Sequence, residues 1–122
     1  MFVYNIYYFN QEDSEAEVYV SDGKYNVKCY LYPANMVVVN QCVNSIYGFD
    51  CSNIVRSNKK EFQIVKLSSY YAYLITAQVV DRNKGLVRIG MLFIYLDAPI
   101  PKDILNGNYV TFKVMRMDCV IN

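Results

Sequence analysis

The sequence contains no histidine and no tryptophan, and its 122 residues include only three prolines and five glycines. Without histidine there is no Ser-His-Asp or Cys-His nucleophile, no His-ligated zinc and no imidazole acid or base. Charge is also scarce, because Asp, Glu, Lys and Arg make up 19% of the chain and the formal net charge is +1. That balance argues against a strong nonspecific hold on nucleic acid or on an anionic membrane, since either requires several cations.

Signals for export, membrane insertion and metal binding are equally weak. Residues 1–8 lack the basic segment of a signal peptide. The longest uncharged stretch, from Cys29 to Phe49, is as long as a membrane span, but Pro33 and several amides interrupt it. The four cysteines follow no CxxC spacing, so we expect buried, reduced thiols. We therefore predict a cytoplasmic protein with no metal, no cofactor and no membrane contact.

Hydrophobic residues make up 54% of the chain, and many of them are β-branched or aromatic. Such side chains suit the half-buried surface of a pleated sheet. No repeat or linker divides the sequence. It therefore predicts one mainly β domain over residues 1–122, an antiparallel barrel or sandwich of about six to eight strands, with an OB-like barrel among the options.

The strongest local signal is Asp22-Gly23, a dipeptide that favours a two-residue type I′ hairpin turn. Counting outward from this turn pairs Val20 with Tyr25 and Glu17 with Lys28. Apolar residues then meet on one face and opposite charges on the other. The pattern predicts strands near 15–21 and 24–32.

A second hairpin is predicted between Tyr70 and Leu96, with its loop around Asn83-Lys84-Gly85. Both faces of segments 72–80 and 87–96 are apolar, which is typical of central strands or of a contact face. Gly90 in the middle of the second segment indicates a bulge or a tight bend.

The middle of the chain is ambiguous. Asn35 is placed to cap a helix over 36–47, whereas the β-branched run at 37–39 disfavours a helix. The sequence therefore leaves two alternatives open for this segment, one short helix or a strand. Residues 50–60 are predicted to form a loop, and a last strand is predicted over 109–117, with Val110, Phe112 and Val114 facing inward.

The thirteen tyrosines are the most unusual feature of the composition. Several fall on the face of the first hairpin that carries Glu17 and Lys28, where alternation predicts contact with solvent. Tyrosine is enriched on surfaces that bind proteins. The alternative is that these rings pack beneath residues 34–61. The candidate partner-binding residues are Glu15, Glu17, Tyr19, Tyr30 and Tyr32.

With no catalytic constellation visible, we expect a non-enzymatic protein-binding module. Its most concrete form is an immunity or antitoxin-like protein that occludes a cognate bacterial toxin, with acidic residues steering a basic partner. One alternative is an OB-like single-stranded nucleic-acid binder that uses tyrosine stacking. A structural subunit that self-associates into a homo-oligomer through the two-sided apolar strands is another. The basic residues available for nucleic acid are Arg56, Lys59, Lys60 and Lys66.

Overall fold

The computed structural model describes residues 1–10, 12, 14–34 and 37–121, and it confirms a single mainly β domain. Eleven strands form in these residues, more than the six to eight expected. They are β1 (Phe2–Asn10), β2 (Glu15–Ser21), β3 (Asn26–Leu31), β4 (Ser45–Phe49), β5 (Ser52–Arg56), β6 (Gln63–Lys66), β7 (Tyr73–Asp81), β8 (Leu86–Ile89), β9 (Leu92–Leu96), β10 (Tyr109–Val114) and β11 (Arg116–Val120).

All strands belong to one mixed sheet in the order β1-β2-β3-β11-β4-β9-β8-β7-β10-β5, with β6 paired beside β7. The predicted last strand, 109–117, is in fact two strands, β10 and β11, that separate at Met115. Strand β11 lies between β3, to which it is parallel, and β4, to which it is antiparallel. It therefore connects the first three strands to the rest of the sheet.

The sheet folds back so that its two ends share one core. The backbone N–H of Lys28 in β3 donates to the hydroxyl of Tyr73 in β7 at 2.9 Å, which joins opposite parts of the sheet. Inward residues alternate along β10 as predicted, because Val110, Phe112 and Val114 are fully buried. The largest fully buried side chains are Phe112, Ile46, Ile75, Ile89, Leu92, Ile94, Ile104 and Met117.

The first hairpin has the predicted faces but a different register. Val20 pairs with Val27, not with Tyr25, so the connection contains four residues instead of two. The carboxylate of Asp22 stabilises this longer loop by accepting from the backbone N–H groups of Lys24 at 2.8 Å and Tyr25 at 2.7 Å. A shift of two residues preserves the alternation of side chains, which is why the predicted faces remain correct.

The segment predicted as one strand over 87–96 is two strands, and this corrects the idea of a two-sided apolar surface. Gly90 adopts a φ of 58°, and a tight turn at Gly90-Met91 lets Ile89 pair with Leu92. The turn reverses the alternation, so Ile89 and Ile94 both face the core and both are fully buried. The turn therefore explains the apolar pattern of residues 87–96 within the chain, whereas Leu74 and Val80 of β7 are 38% and 36% exposed.

The helix option over 36–47 is wrong for the residues described there. Asn35 and Met36 lie outside the described residues; 37–44 is irregular and β4 begins at Ser45. The irregular segment hydrogen-bonds to β1 instead, with Val3 N–H donating to the Gln41 carbonyl at 2.9 Å. The predicted loop at 50–60 contains strand β5. In the described part of the chain, no helix has the length and apolarity needed to traverse a bilayer.

Candidate functional site

One row of residues crosses seven neighbouring strands on the outer side of the sheet. Each member pairs directly with the next: Tyr7, Glu17, Tyr30, Asp118, Tyr47, Tyr95 and Leu86. Side chains paired in this way are within contact distance. The rings of Tyr47 and Tyr95, for example, stack with their centroids 5.4 Å apart. We call the outward side of β1, β2, β3, β11, β4 and β9 the aromatic face.

A short loop, residues 67–72, lies on the aromatic face and adds two more tyrosines. The hydroxyl of Tyr70 donates to the carboxylate of Glu17, bonding Oε1 closely and lying 3.2 Å from Oε2. The ring of Tyr71 meets Tyr30 edge-on, with centroids 6.2 Å apart. Loop 67–72 therefore packs against the first hairpin, in place of the 34–61 segment considered from the sequence.

Lys66 anchors loop 67–72 to the end of β6. Its ammonium donates to the carbonyls of Leu67 at 2.8 Å, Ser69 at 2.6 Å and Ala72 at 3.1 Å. These three bonds engage every donor of the ammonium group. Desolvation, together with the nearby Lys28, lowers the pKa of Lys66. Lys66 is exposed, as are the other residues of the predicted basic group, Arg56, Lys59 and Lys60, but its ammonium is engaged in loop structure.

Lys28 occupies an aromatic cage on this face. Its Nζ lies 3.7 Å from the centroid of the Tyr70 ring, 5.4 Å from that of Tyr71 and 4.0 Å from Glu17 Oε2. A cation over a tyrosine ring is attracted by the negative face of the π system. The sequence had placed Lys28 beside Glu17, but the cage depends on loop 67–72, which is distant in sequence.

Arg116 is held in a second cage of the same chemistry. Its guanidinium lies 4.8 Å from the Tyr30 ring centroid and 5.6 Å from that of Phe49. It also makes a bidentate pair with Asp118, with Nε–Oδ1 at 2.7 Å and Nη2–Oδ2 at 2.9 Å. The aromatic face therefore holds two of the protein's own cations, each between rings and a carboxylate.

A hollow beside the Lys28 cage, with which it shares Tyr70 and Glu17, is open to solvent. It has a volume of about 360 Å³, and we call it the β1–β2 groove. Tyr7 and Tyr70 are 59% and 57% exposed, whereas Glu17 is only 4% exposed. The groove therefore has accessible aromatic walls and a carboxylate at its base. Its lining residues are Asn5, Tyr7, Phe9, Glu17, Tyr19 and Tyr70.

The phenols of Tyr70 and Tyr71 remain protonated at neutral pH. The hydrogen bond to Glu17, with desolvation as the second cause, raises the pKa of Tyr70 to about 12. Desolvation first, and the carboxylate of Glu17 second, raise the pKa of Tyr71 as well. Phenols in this state are hydrogen-bond donors, not bases. The arrangement is suited to binding cations and rings, and among the described residues no group of three or more His, Cys, Asp or Glu side chains is placed to hold a metal.

Three of the five predicted site residues come together in this cluster. Glu17, Tyr19 and Tyr30 lie side by side on the aromatic face, although Glu17 is buried beneath Tyr70 instead of standing at an exposed rim. Glu15 lies at the start of β2, and its carboxylate contributes, after desolvation, to a raised pKa of Tyr30. Tyr32 lies beyond the end of β3 and is 63% exposed.

Sequence reasoning missed the residues that other strands and loop 67–72 contribute. They are Tyr7, Phe9, Tyr47, Phe49, Tyr70, Tyr71, Tyr95, Arg116 and Asp118. The local signal was the density of tyrosine itself. Their meeting on one face depends on the pairing of distant strands, such as β4 with β9, which no local pattern reveals.

The cysteines take no part in the aromatic face as ligands or as disulfides. All four are free thiols: Cys29 and Cys119 are buried, Cys51 is half-buried and Cys42 is exposed. The expectation of buried thiols is therefore wrong for Cys42. Desolvation is the largest cause that raises the pKa of Cys51 to about 12.

Comparison with known proteins gives no assignment for the chain. No protein family, curated protein or solved structure matches it. The aromatic face is therefore the basis for a functional inference.

Proposed function

We propose that the protein is a non-enzymatic binding module, of the immunity or antitoxin-like kind, that occludes a cognate toxin with its aromatic face. The observation that supports this most is the exposure of several large rings on one face of the sheet: Tyr7, Phe9, Tyr47, Phe49 and Tyr70 are each at least 41% exposed. Isolated surface rings need no explanation, whereas a contiguous group is typical of protein contact surfaces.

The surroundings of these rings also favour binding over catalysis. The hydroxyl of Tyr70 and the ammonium of Lys28 are engaged with Glu17, and Arg116 is engaged with Asp118. Groups fixed in this way are preorganised, so a partner that docks on them loses little side-chain entropy. Tyrosine and arginine are also the residue types that most often dominate interface energetics.

The proposal predicts binding to the product of a neighbouring reading frame that encodes a toxin. The direct test mixes that purified protein with this chain and with a Tyr7→Ala/Tyr47→Ala/Tyr70→Ala variant, measuring affinity by calorimetry and growth rescue in cells. We expect the triple variant to bind at least about 100-fold more weakly, since interface hot spots contribute roughly 2 kcal/mol or more each. Leu105→Ala, which removes a residue 61% exposed outside the aromatic face, serves as the control and should bind normally. Equal affinity of the triple variant and the control would refute the proposed surface.

The nucleic-acid alternative has less support. The basic residues that would contact nucleic acid include Lys66, whose ammonium already donates to three carbonyls. The remaining residues are Arg56, at the end of β5, and Lys59 and Lys60 in the following loop, which also contains the exposed Glu61. Three cations beside a carboxylate provide only a small counterion release on binding a phosphate backbone.

A further inference from the structure

The connection from β5 to β6 encloses a hollow on another part of the sheet. Strands β10 and β7 lie between β5 and β6, so residues 57–62, which we call the β5–β6 arch, must pass over both. The arch is held at each end, because Ser57 N–H donates to the Tyr109 carbonyl at 2.8 Å and the Phe62 ring centroid lies 5.5 Å from that of Tyr109. The hollow beneath it, which we call the arch pocket, has a volume of about 360 Å³. Pockets for small molecules begin at about 300 Å³, so the arch pocket admits a single small molecule.

Two threonine hydroxyls form the floor of the arch pocket. Thr76 on β7 and Thr111 on β10 pair directly, and they point away from the core because they alternate with the buried Ile75 and Phe112. Their Oγ1 atoms are 3.3 Å apart, and Thr76 is only 7% exposed. A hydroxyl has one donor and two lone pairs, so this single bond leaves one O–H of the pair without an acceptor among the described residues. The floor therefore offers a ligand both a donor and acceptors at a largely desolvated position.

The arch adds further hydrogen-bonding groups and no net charge. Every second residue from 57 to 63 lines the arch pocket, as alternation in an extended segment requires, and these residues are Ser57, Lys59, Glu61 and Gln63. Lys59 and Glu61 are exposed and carry opposite charges. An ion of either sign would meet one like charge for each opposite one, and solvent screens both charges. The rim therefore selects neither anions nor cations.

We propose that the arch pocket binds a small neutral polyhydroxyl compound, of the size of a single sugar ring. Each hydroxyl of such a compound can both donate and accept, which matches the mixed donors and acceptors of the Thr76–Thr111 pair. The ammonium of Lys59 and the carboxylate of Glu61 can bond further hydroxyls, and hydrogen bonds to charged groups are the stronger kind. An apolar ligand would instead leave the floor hydroxyls without partners, at a cost in free energy. The arch pocket shares no residue with the aromatic face, so this inference is independent of the proposed function.

The test titrates the folded protein with D-glucose, D-galactose, D-mannose and N-acetyl-D-glucosamine, and two-dimensional NMR follows the methyl signals of Thr76 and Thr111. The controls are tetrahydropyran, which is the sugar ring without hydroxyl groups, glycine as a zwitterion and inorganic phosphate as an anion. We expect saturable shifts of both methyl signals with at least one sugar, at dissociation constants around the millimolar range typical of a small ligand. No saturable shift with any of the sugars, or a control compound that binds as tightly as the best sugar, would overturn the proposal.

Variants of the floor locate the binding. Thr76→Val keeps the shape of the side chain but lacks the hydroxyl, so it should weaken binding of the best sugar about fivefold, the usual effect of one hydrogen bond. Thr111→Val should have the same effect and serves as the second variant if Thr76→Val disturbs the fold. Lys60→Ala is the matched control, because Lys60 is an exposed residue of the same arch that does not line the arch pocket, and sugar binding should be unchanged. Equal sugar affinities for Lys60→Ala and for a folded threonine variant would refute the assignment of the floor.

Discussion

Replacing Gly90 by alanine tests how the two ends of the sheet are held together. Gly90 has a φ of 58°, and a Cβ built on it would lie 2.5 Å from Asp22 Oδ2 and 2.7 Å from Tyr25 Cδ2. Asp22 accepts there from the backbone N–H of Met91 at 2.7 Å, which joins the β2–β3 loop to the β8–β9 turn. An added methyl group must displace this carboxylate.

The expected loss of stability has two parts. An L-residue in the left-handed region costs about 1 kcal/mol. Displacing the Asp22 carboxylate from Met91 adds about 1.5–2 kcal/mol, the lower range for a hydrogen bond to a charged group, because this bond is exposed. Gly90→Ala should therefore lower the free energy of unfolding by about 3 kcal/mol, which at an m-value of about 1.5–2 kcal/mol/M moves the urea midpoint down by roughly 1.5–2 M.

The chain offers a matched control in Gly107. Its φ is 90°, also left-handed, but nothing lies within 4 Å of a Cβ placed on it. Gly107→Ala should therefore cost only the backbone contribution of about 1 kcal/mol. In an Asp22→Asn background the difference between the two glycine variants should shrink, since the charged bond is then already weakened. If urea unfolding shows equal midpoints for Gly90→Ala and Gly107→Ala, the docking of the two loops does not stabilise the protein as argued.

Three further predictions concern the aromatic face and the thiols. Tyr70→Phe should lower stability, because the variant lacks the hydroxyl that donates to Glu17. Tyr71→Phe should leave stability unchanged or raise it, since the Tyr71 hydroxyl is buried with no partner among the described residues. The pKa of Tyr70 is about 12, above the ordinary value of 10. The bond to Glu17 therefore contributes its full stability below pH 10, and this contribution is lost as the pH rises through about 12. The ¹³Cζ signal of Tyr70 should titrate at about pH 12. Iodoacetamide at pH 8 should modify exposed Cys42 well before Cys51, whose raised pKa leaves little thiolate.

Each of these predictions has a contradicting result. Equal melting temperatures for the two tyrosine variants would mean that the bond from Tyr70 to Glu17 contributes nothing. A Tyr70 signal that titrates at pH 10 would show that the carboxylate does not retain the phenolic proton. Glu17→Gln should lower the pKa of Tyr70 toward that value, with desolvation keeping it above. Mass spectrometry that finds Cys51 modified as fast as Cys42 in the folded protein would exclude the burial assigned to Cys51.

Loop 67–72 gives another prediction, because Lys66 is its anchor. Lys66→Met keeps the stem of the side chain but removes three hydrogen bonds to carbonyls. Since the site is exposed, we expect a loss of about 1 kcal/mol, at the low end for such bonds. Amide exchange should accelerate in residues 67–72 and stay unchanged in β10. Unaltered exchange in the loop would show that it is held by Tyr70 and Tyr71 alone.

Local patterns were sufficient to predict which side chains face the core. Alternation is a property of each strand by itself, so the inward residues of β2 and β10 follow from the sequence. Where a turn intervenes, the same reasoning fails. The turn at Gly90 reverses the alternation, and the Asp22 carboxylate lengthens the first hairpin loop by accepting from Lys24 and Tyr25. The same carboxylate also joins the β2–β3 loop to the β8–β9 turn.

The candidate site was predictable only in part, for the same reason. Glu17, Tyr19 and Tyr30 belong to one hairpin, so local alternation places them on one face. Tyr70 and Arg116 reach this face through loop 67–72 and through the parallel pairing of β11 with β3. Parallel neighbours are distant in sequence, and no short-range pattern specifies which strand will lie beside another.

The position of β11 also determines when the protein can complete its fold during synthesis. Residues 116–120 fill the gap between β3 and β4, so a ribosome-bound chain that ends before them leaves both strands with unpaired edges. Such edges recruit other strands and lead to aggregation. The sheet therefore cannot be completed until residues 116–120 have emerged, and nascent chains stalled before residue 116 should depend on chaperones to stay soluble.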